Sequence, residues 1–349
     1  MAVGQGALTS FNSYLAVGRE TTLNTYTTCT SALDFISASF KATKEVKILE
    51  QIETKRSYSK QIALGKTIEG EMEFYPYSEA ASFVYLLQNA LGGTVTSATT
   101  TSETTGSASF EHIISIGNMD QSYTSLCFNH RKGDSSGGMV FQYSGVRVNE
   151  FMFSAEIDEA LKCTAQVIAM DVTKTSNDVS SALSVAQNQP LSFVNGRISV
   201  ESNFSSLTST SFWHVQSVEF GIANNLKSDS ASRRIGSDIL GVLPVGIANF
   251  TFNATIRFDT TTAFDAMMAN TQLAAELEFT GTTLTGSKFT RSVKFQFPKI
   301  FVSDAGDPEI SGPDEILTSQ VTFAVLRDDS SAGGYPMRAV VRNLTSSYA

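Results

Sequence analysis

Between residues 67 and 75 the chain reads TIEGEMEFY, and this strict alternation narrows the possible folds more than any other feature. Successive side chains of an extended chain point to opposite faces, so Ile68, Met72 and Phe74 share one side and Glu69, Glu71 and Glu73 the other. Such a segment is stable as a half-buried strand with its apolar face laid on a core. Comparable strands are predicted at 33–40, 138–154, 162–171, 193–201, 213–222, 247–258, 274–280, 290–302 and 318–326. Helical spacing replaces alternation in two places. At 78–91, Ala81, Val84, Tyr85, Leu87, Gln88 and Leu91 follow a helix that Ser78 can cap and Gly92-Gly93 can close. At 261–273, Thr260 or Thr261 is the cap and Phe264, Met267, Met268 and Leu273 form one face. The chain is predicted to be mainly β.

The order of these elements occurs twice. Phe74 stands four residues before Ser78, and Phe258 four before Thr262. Phe141-Gln142-Tyr143 leads to Gln166-Val167, and Phe295-Gln296-Phe297 to Gln320-Val321, with the glutamines 24 residues apart in both. Phe40 and Phe220 each end a strand and open a long polar stretch, 41–66 and 223–244. The reading is a duplicated unit, 1–172 and 191–329, with a Ser-, Asn- and Gln-rich linker at 173–190 and a tail at 330–349. The Ser/Thr-rich run at 94–109 is expected to be a mobile loop.

Composition excludes several classes. Charged residues make up 17% and hydrophobic ones 42%, which opposes both a coiled coil and wholesale disorder. With 25 basic and 34 acidic residues the net charge is −9, so a surface built mainly to grip nucleic acid is opposed, since that needs a basic face. A protein that lets nucleic acid slide past is not. The cysteines, Cys29, Cys127 and Cys163, are odd in number and show no framework spacing, which reads as reduced thiols. The opening MAVGQGALTSFNSYL shows neither a basic n-region nor an apolar h-region, and no apolar run reaches the length of a membrane span, so neither a signal peptide nor a membrane partner is expected.

Candidate chemistry is sparse. Gly133-Asp134-Ser135-Ser136-Gly137-Gly138 is similar to the nucleophile segment of chymotrypsin-like proteases, but an extra serine breaks it and no histidine motif accompanies it. Turn chemistry between strands 122–130 and 138–146 accounts for these residues. Cys127 and His130 have C-x-x-H spacing, with His112 a conceivable third ligand, yet a structural zinc needs four. On a strand, positions 127 and 130 also face opposite sides. No enzyme activity, cofactor or metal is expected.

A family resemblance enters with three segments. Residues 13–25 (SYLAVGRETTLNT), 86–93 (LLQNALGG) and 218–226 (VEFGIANNL), in this order of strands, arms and helices, resemble the tail tube proteins of long-tailed bacteriophages. The likeness covers roughly 13–172 and 191–328. It implies two tandem β-sandwich or partial-barrel modules, each with one flanking helix, whose sheets continue edge to edge into a ring. Two modules per chain then imply homotrimeric rings with six modules, stacked into a helical tube through which double-stranded DNA passes. The resemblance also implies other tail proteins as partners (tape measure, tail terminator, distal components) and a virion tail assembled in the host bacterial cytoplasm. The rival expectation is a secreted or surface-exposed duplicated adhesin or surface-layer protein, which lacks a visible leader here.

Three groups of residues are singled out on this reading. Glu69, Glu71 and Glu73 are candidates for the lumen lining, where acids repel phosphate. The arm at 41–66 is basic in an acidic chain, and its Lys44, Lys47, Ile48, Leu49, Ile52, Lys55, Arg56, Lys60 and Leu64 combine charge with apolar area suited to an interface. Its expected acceptor on a neighbouring subunit is an acidic loop carrying Asp304, Asp307, Glu309, Asp314 and Glu315. DNA binding by the arm is the weaker reading, given the net charge.

Overall fold

The computed structural model describes residues 10, 12–51, 54, 56–99, 109–119, 123, 125–133, 138–184, 189–207, 213–306, 308, 316–330 and 334–348. Alternation becomes ladders almost throughout. The strands are β1 (Tyr14–Arg19), β2 (Ser31–Leu33), β3 (Ser37–Ile48), β4 (Gln61–Phe74), β5 (Val95–Thr99), β6 (Phe110–Ser115), β7 (Leu126–Lys132), β8 (Met139–Glu156) and β9 (Lys162–Ala169). They continue as β10 (Asp171–Thr175), β11 (Gly196–Glu201), β12 (Val215–Ala223), β13 (Asn249–Arg257), β14 (Leu273–Thr283), β15 (Thr290–Ala305), β16 (Thr318–Val325) and β17 (Arg338–Asn343). The helices are α1 (Ala81–Leu91) and α2 (Thr262–Met268).

Two long strands organise the molecule. The first part of β8 lies between β7 and β10, and β7 carries β1 and then β2 on its other side. The second part of β8 lies between β9 and β12. From there one antiparallel sheet runs β3–β4–β9–β8–β12–β13–β16–β15. The first part of β15 is flanked by β14, which carries β11, and by β17, which carries β6 and β5. The layers face each other across phenylalanines. Phe40 on β3 meets Phe128 and Tyr143, with centroids 5.8 and 4.9 Å away. Farther along, Phe153, Phe220 and Phe295 form a mutual cluster, with Phe153 and Phe220 stacked at 5.1 Å. One apolar core therefore spans both halves of the chain.

Several elements depart from the sequence reading. Helix α1 starts at Ala81, and Ser78 does not cap it: Ser31 Oγ, from β2, accepts the Ser82 backbone N–H at 2.9 Å. Gly92 closes the helix at φ 71°, where a Cβ would meet Met119 Cγ at 2.1 Å. Helix α2 ends at Met268 rather than 273, because Asn270 takes a left-handed φ of 47° and Leu273 already pairs with Ile300. Its inward residues are Ala263 and Ala266, while Phe264 and Met268, expected in the core, are exposed. The Ser/Thr-rich run is not all loop: 95–99 is β5, paired with β6, and the rest up to 108 lies outside the described residues. At the C-terminal end, Arg338–Asn343 is not a loose tail but a strand between β15 and β6.

Candidate functional site: a polar sheet face, its edges and a projecting hairpin

The period of two that buries Ile68, Met72 and Phe74 necessarily turns Glu69, Glu71 and Glu73 outward, and the ladders show what surrounds them. Glu71 lies between Ser39 and Gln166, and Gln166 faces Glu150. A second row runs Ser154, Glu219, Asn253, Thr322 and Asp304 across β8, β12, β13, β16 and β15. The face is thus mainly polar, with Met152 between Glu150 and Ser154, and with Ile168 beside Glu69, where Leu226, Leu240 and Leu243 pack on it. Glu69, Glu71, Glu73, Glu150, Glu156, Glu219 and Asp304 stand on it against Lys41, Lys162 and Arg257, and Arg257 is neutralised by Asp259 at 2.9 Å. Two depressions mark it. One of about 350 Å³ is lined by Ser39, Lys41, Glu69, Glu71 and Gln166. The other, about 420 Å³, is lined by Ser154, Glu156, Glu219, Asn253, Gln320 and Thr322.

The edges of this sheet differ. β12 seats on β8 with Phe220 opposite Phe153, which closes the middle of the sheet. At one end β3 pairs with β4 alone among the described residues. At the other, β14 covers β15 up to Ile300, and beyond it the side of β15 away from β16 has no partner among the described residues.

The arm is a two-stranded ribbon. Beyond a bulge at Glu45, Val46, Lys47 and Ile48 pair with Ala63, Ile62 and Gln61, and Leu49 N–H donates to the Lys60 carbonyl at 3.0 Å. Lys44, Lys47, Ile48, Arg56, Lys60 and Leu64 are exposed, Leu49 is half-buried, and Ile52 and Lys55 lie outside the described residues. Its root is clasped by the stretch after β12. Lys44 pairs with Asp238 at 3.3 Å, the Lys66 N–H donates to the Asp238 carbonyl, and Lys66 Nζ meets Asp171 at 2.5 Å. Lys44 thus finds Asp238 within its own chain. Of the expected acceptor loop, Asp304 sits exposed at the end of β15, and Asp307, Glu309, Asp314 and Glu315 lie outside the described residues.

The three segments that carry the family resemblance turn out to be joints. Glu20, in the first, is a carboxylate only 1% exposed. It accepts from the N–H groups of Asn24 and Gly145 at 2.9 and 3.0 Å and from the Ser125 hydroxyl. Burial raises its pKa, and these donors hold it down. The other two segments meet each other: Asn224 Nδ2 donates to the carbonyls of Ala90 and Val148, while Asn89 Oδ1 accepts the Val148 N–H. These buried asparagines lock α1 to β8 and to the turn after β12. Periodicity did not reveal them, since they interrupt apolar runs; only their place in the motifs singled them out.

The remaining candidates take structural places. Asp134, Ser135, Ser136 and Gly137 lie outside the described residues, between the paired ends Lys132 and Met139 of β7 and β8. His130 is buried against Phe35 and Phe40, and burial together with Lys132 lowers its pKa to about 4. Cys127 points away from it and lies 3.5 Å from Cys29. His112 is held by Ser97 and Asn343, at 2.7 and 3.0 Å.

A search of curated proteins finds no match. The profile of the family described as phage tail tube protein matches residues 10–325, which takes in all three joint-forming segments and the polar sheet face. This is a structural, non-enzymatic family. With nearly the whole chain matched and a mainly β architecture, the chain belongs to the phage tail tube protein family.

Proposed function

We propose that this chain polymerises as stacked homotrimeric rings into a phage tail tube, and that the polar face of the β3-to-β15 sheet lines its lumen. The supporting observation is the polarity of that face: hydroxyls, amides and carboxylates make up one row from Ser39 to Glu150 and another from Ser154 to Asp304. A DNA conduit gains nothing from affinity. One phosphate contact per subunit, repeated over many rings, would sum to strong salt-dependent retention. Acidic and small polar groups keep the duplex moving.

Ring closure follows from the edges. β12 joining β8 links the two halves of the chain edge to edge. The edge of β3 and the end of β15, each without a partner on that side among the described residues, would repeat that joint by pairing between neighbouring chains, and three chains would close the ring. Closure also removes edges that would otherwise recruit strands at random. The ribbon at 41–66 then docks on a neighbouring subunit, with Asp304 and the loop that follows as its acidic partner. Tape measure, terminator and distal tail proteins are its further partners, and assembly takes place in the host bacterial cytoplasm. Native mass spectrometry of assembled rings tests this reading: three chains per ring are expected, and six would overturn it.

A further inference from the structure

Cys29 and Cys127 lie 98 residues apart in sequence, yet their sulfurs are 3.5 Å apart in the core beside β1. Both are fully buried, and Gly18 permits the approach, since a Cβ there would meet Cys127 Sγ at 2.9 Å and Cys29 Sγ at 3.3 Å. Thr27 Oγ1 is 3.2 Å from Cys127 Sγ. We propose that Cys29 and Cys127 form a dithiol site that small-molecule disulfides convert to an intramolecular disulfide, stapling the loop after β1 to β7. The Cys29 thiol, 3.5 Å away, favours the thiolate at Cys127, while the same contact and burial raise the pKa of Cys29, which makes Cys127 the attacking sulfur.

The exchange balances. The Cys127 thiolate attacks one sulfur of the small-molecule disulfide and releases one thiol, leaving a mixed disulfide. Cys29 then gives up its proton, attacks Cys127 Sγ and expels the second thiol. Two protein thiols are oxidised, and one small-molecule disulfide is reduced to two thiols. Access is gated by Val179 and Leu183, which cover the site as part of the stretch after β10. That cover is fastened by Arg131 to Asp178 at 2.5 Å and by the Val179 N–H to Tyr14 Oη at 3.0 Å. Cys163, fully buried on β9, serves as an internal control.

The test is to incubate the full-length native protein with oxidised glutathione, quench in acid, denature and alkylate with N-ethylmaleimide. Intact mass should show alkylated cysteines falling from three to one, and a peptide map should find Cys29 joined to Cys127 with Cys163 alkylated. Oxidation should raise Tm by several degrees, reversibly on reduction. Asp178→Asn should give the same product several-fold faster; an unchanged rate would overturn the gating. Three alkylated cysteines after oxidation, glutathione retained on Cys127, or a link through Cys163 or between chains would overturn the site itself.

Discussion

His130 shows how one buried side chain sets a pH response. Its ring is packed between Phe35 and Phe40 and its pKa falls to about 4, so the folded chain holds it neutral where the unfolded chain, near 6.5, begins to bind a proton. Stability supplied this way is complete above about pH 6.5 and drains as pH falls towards 4. Glu20 works in the opposite sense: its raised pKa makes folding gain as pH falls through the range just above its ordinary value. Between pH 7 and 5 the histidine contribution amounts to about 2 kcal/mol. His130→Phe, which keeps the aromatic packing, should remove about that much of the acid-induced loss, measured as the difference between urea midpoints at the two pH values. A wild-type slope in the variant would place the titration elsewhere. Ser31 offers a second residue-scale test. Ser31→Ala removes the acceptor at the start of α1 and should cost about 1 kcal/mol in urea unfolding.

Among the elements, the ribbon at 41–66 invites the most direct experiment. Its backbone is paired within the chain from Val46 to Ile48, but its side chains stand in solvent on both faces. Two-stranded ribbons are marginal alone, so in free subunits its amides should exchange faster than those of β8 and β9. In tubes they should gain protection. Equal protection in both states would mean that the ribbon meets no neighbour. Alternation made β4, β12, β13 and β16 legible from sequence, because each buries one face and exposes the other. At β7, read as a strand at 122–130, it could not assign faces, because Asn129, His130 and Arg131 are buried with the apolar residues and satisfy no period. It also failed at α2, where Phe264 and Met268 have core-like spacing but small alanines do the packing. The acceptor for α1 escaped notice because Ser31 is fifty-one residues away from the N–H it binds. Of the candidate site, Glu69, Glu71 and Glu73 could be assigned to one face at once, whereas their neighbours Glu150, Glu219 and Asp304 depend on pairings between distant strands.

At the scale of the whole molecule, the polar sheet face makes the tube reading a matter of charge. Replacing Glu69, Glu71 and Glu73 together with lysine leaves the buried face of β4 untouched, so rings and tubes should form in near-normal yield. DNA release should then slow at least several-fold at low ionic strength and recover as salt is added. Ejection kinetics followed by dye fluorescence at two salt concentrations would check this, and unchanged low-salt kinetics would place these residues away from the DNA.

The strand β17 adds a constraint in time. His112 on β6 is bonded to Asn343 on β17, 231 residues later, and β17 also borders β15. A chain growing at about 5–20 residues per second exposes β6 on the order of ten to fifty seconds before its partner strand leaves the ribosome. Throughout that interval one side of β6 has no ladder. This part of the fold is completed only once β17 has been made, so on the proposed function a chain still being translated would not yet be competent to join a tube.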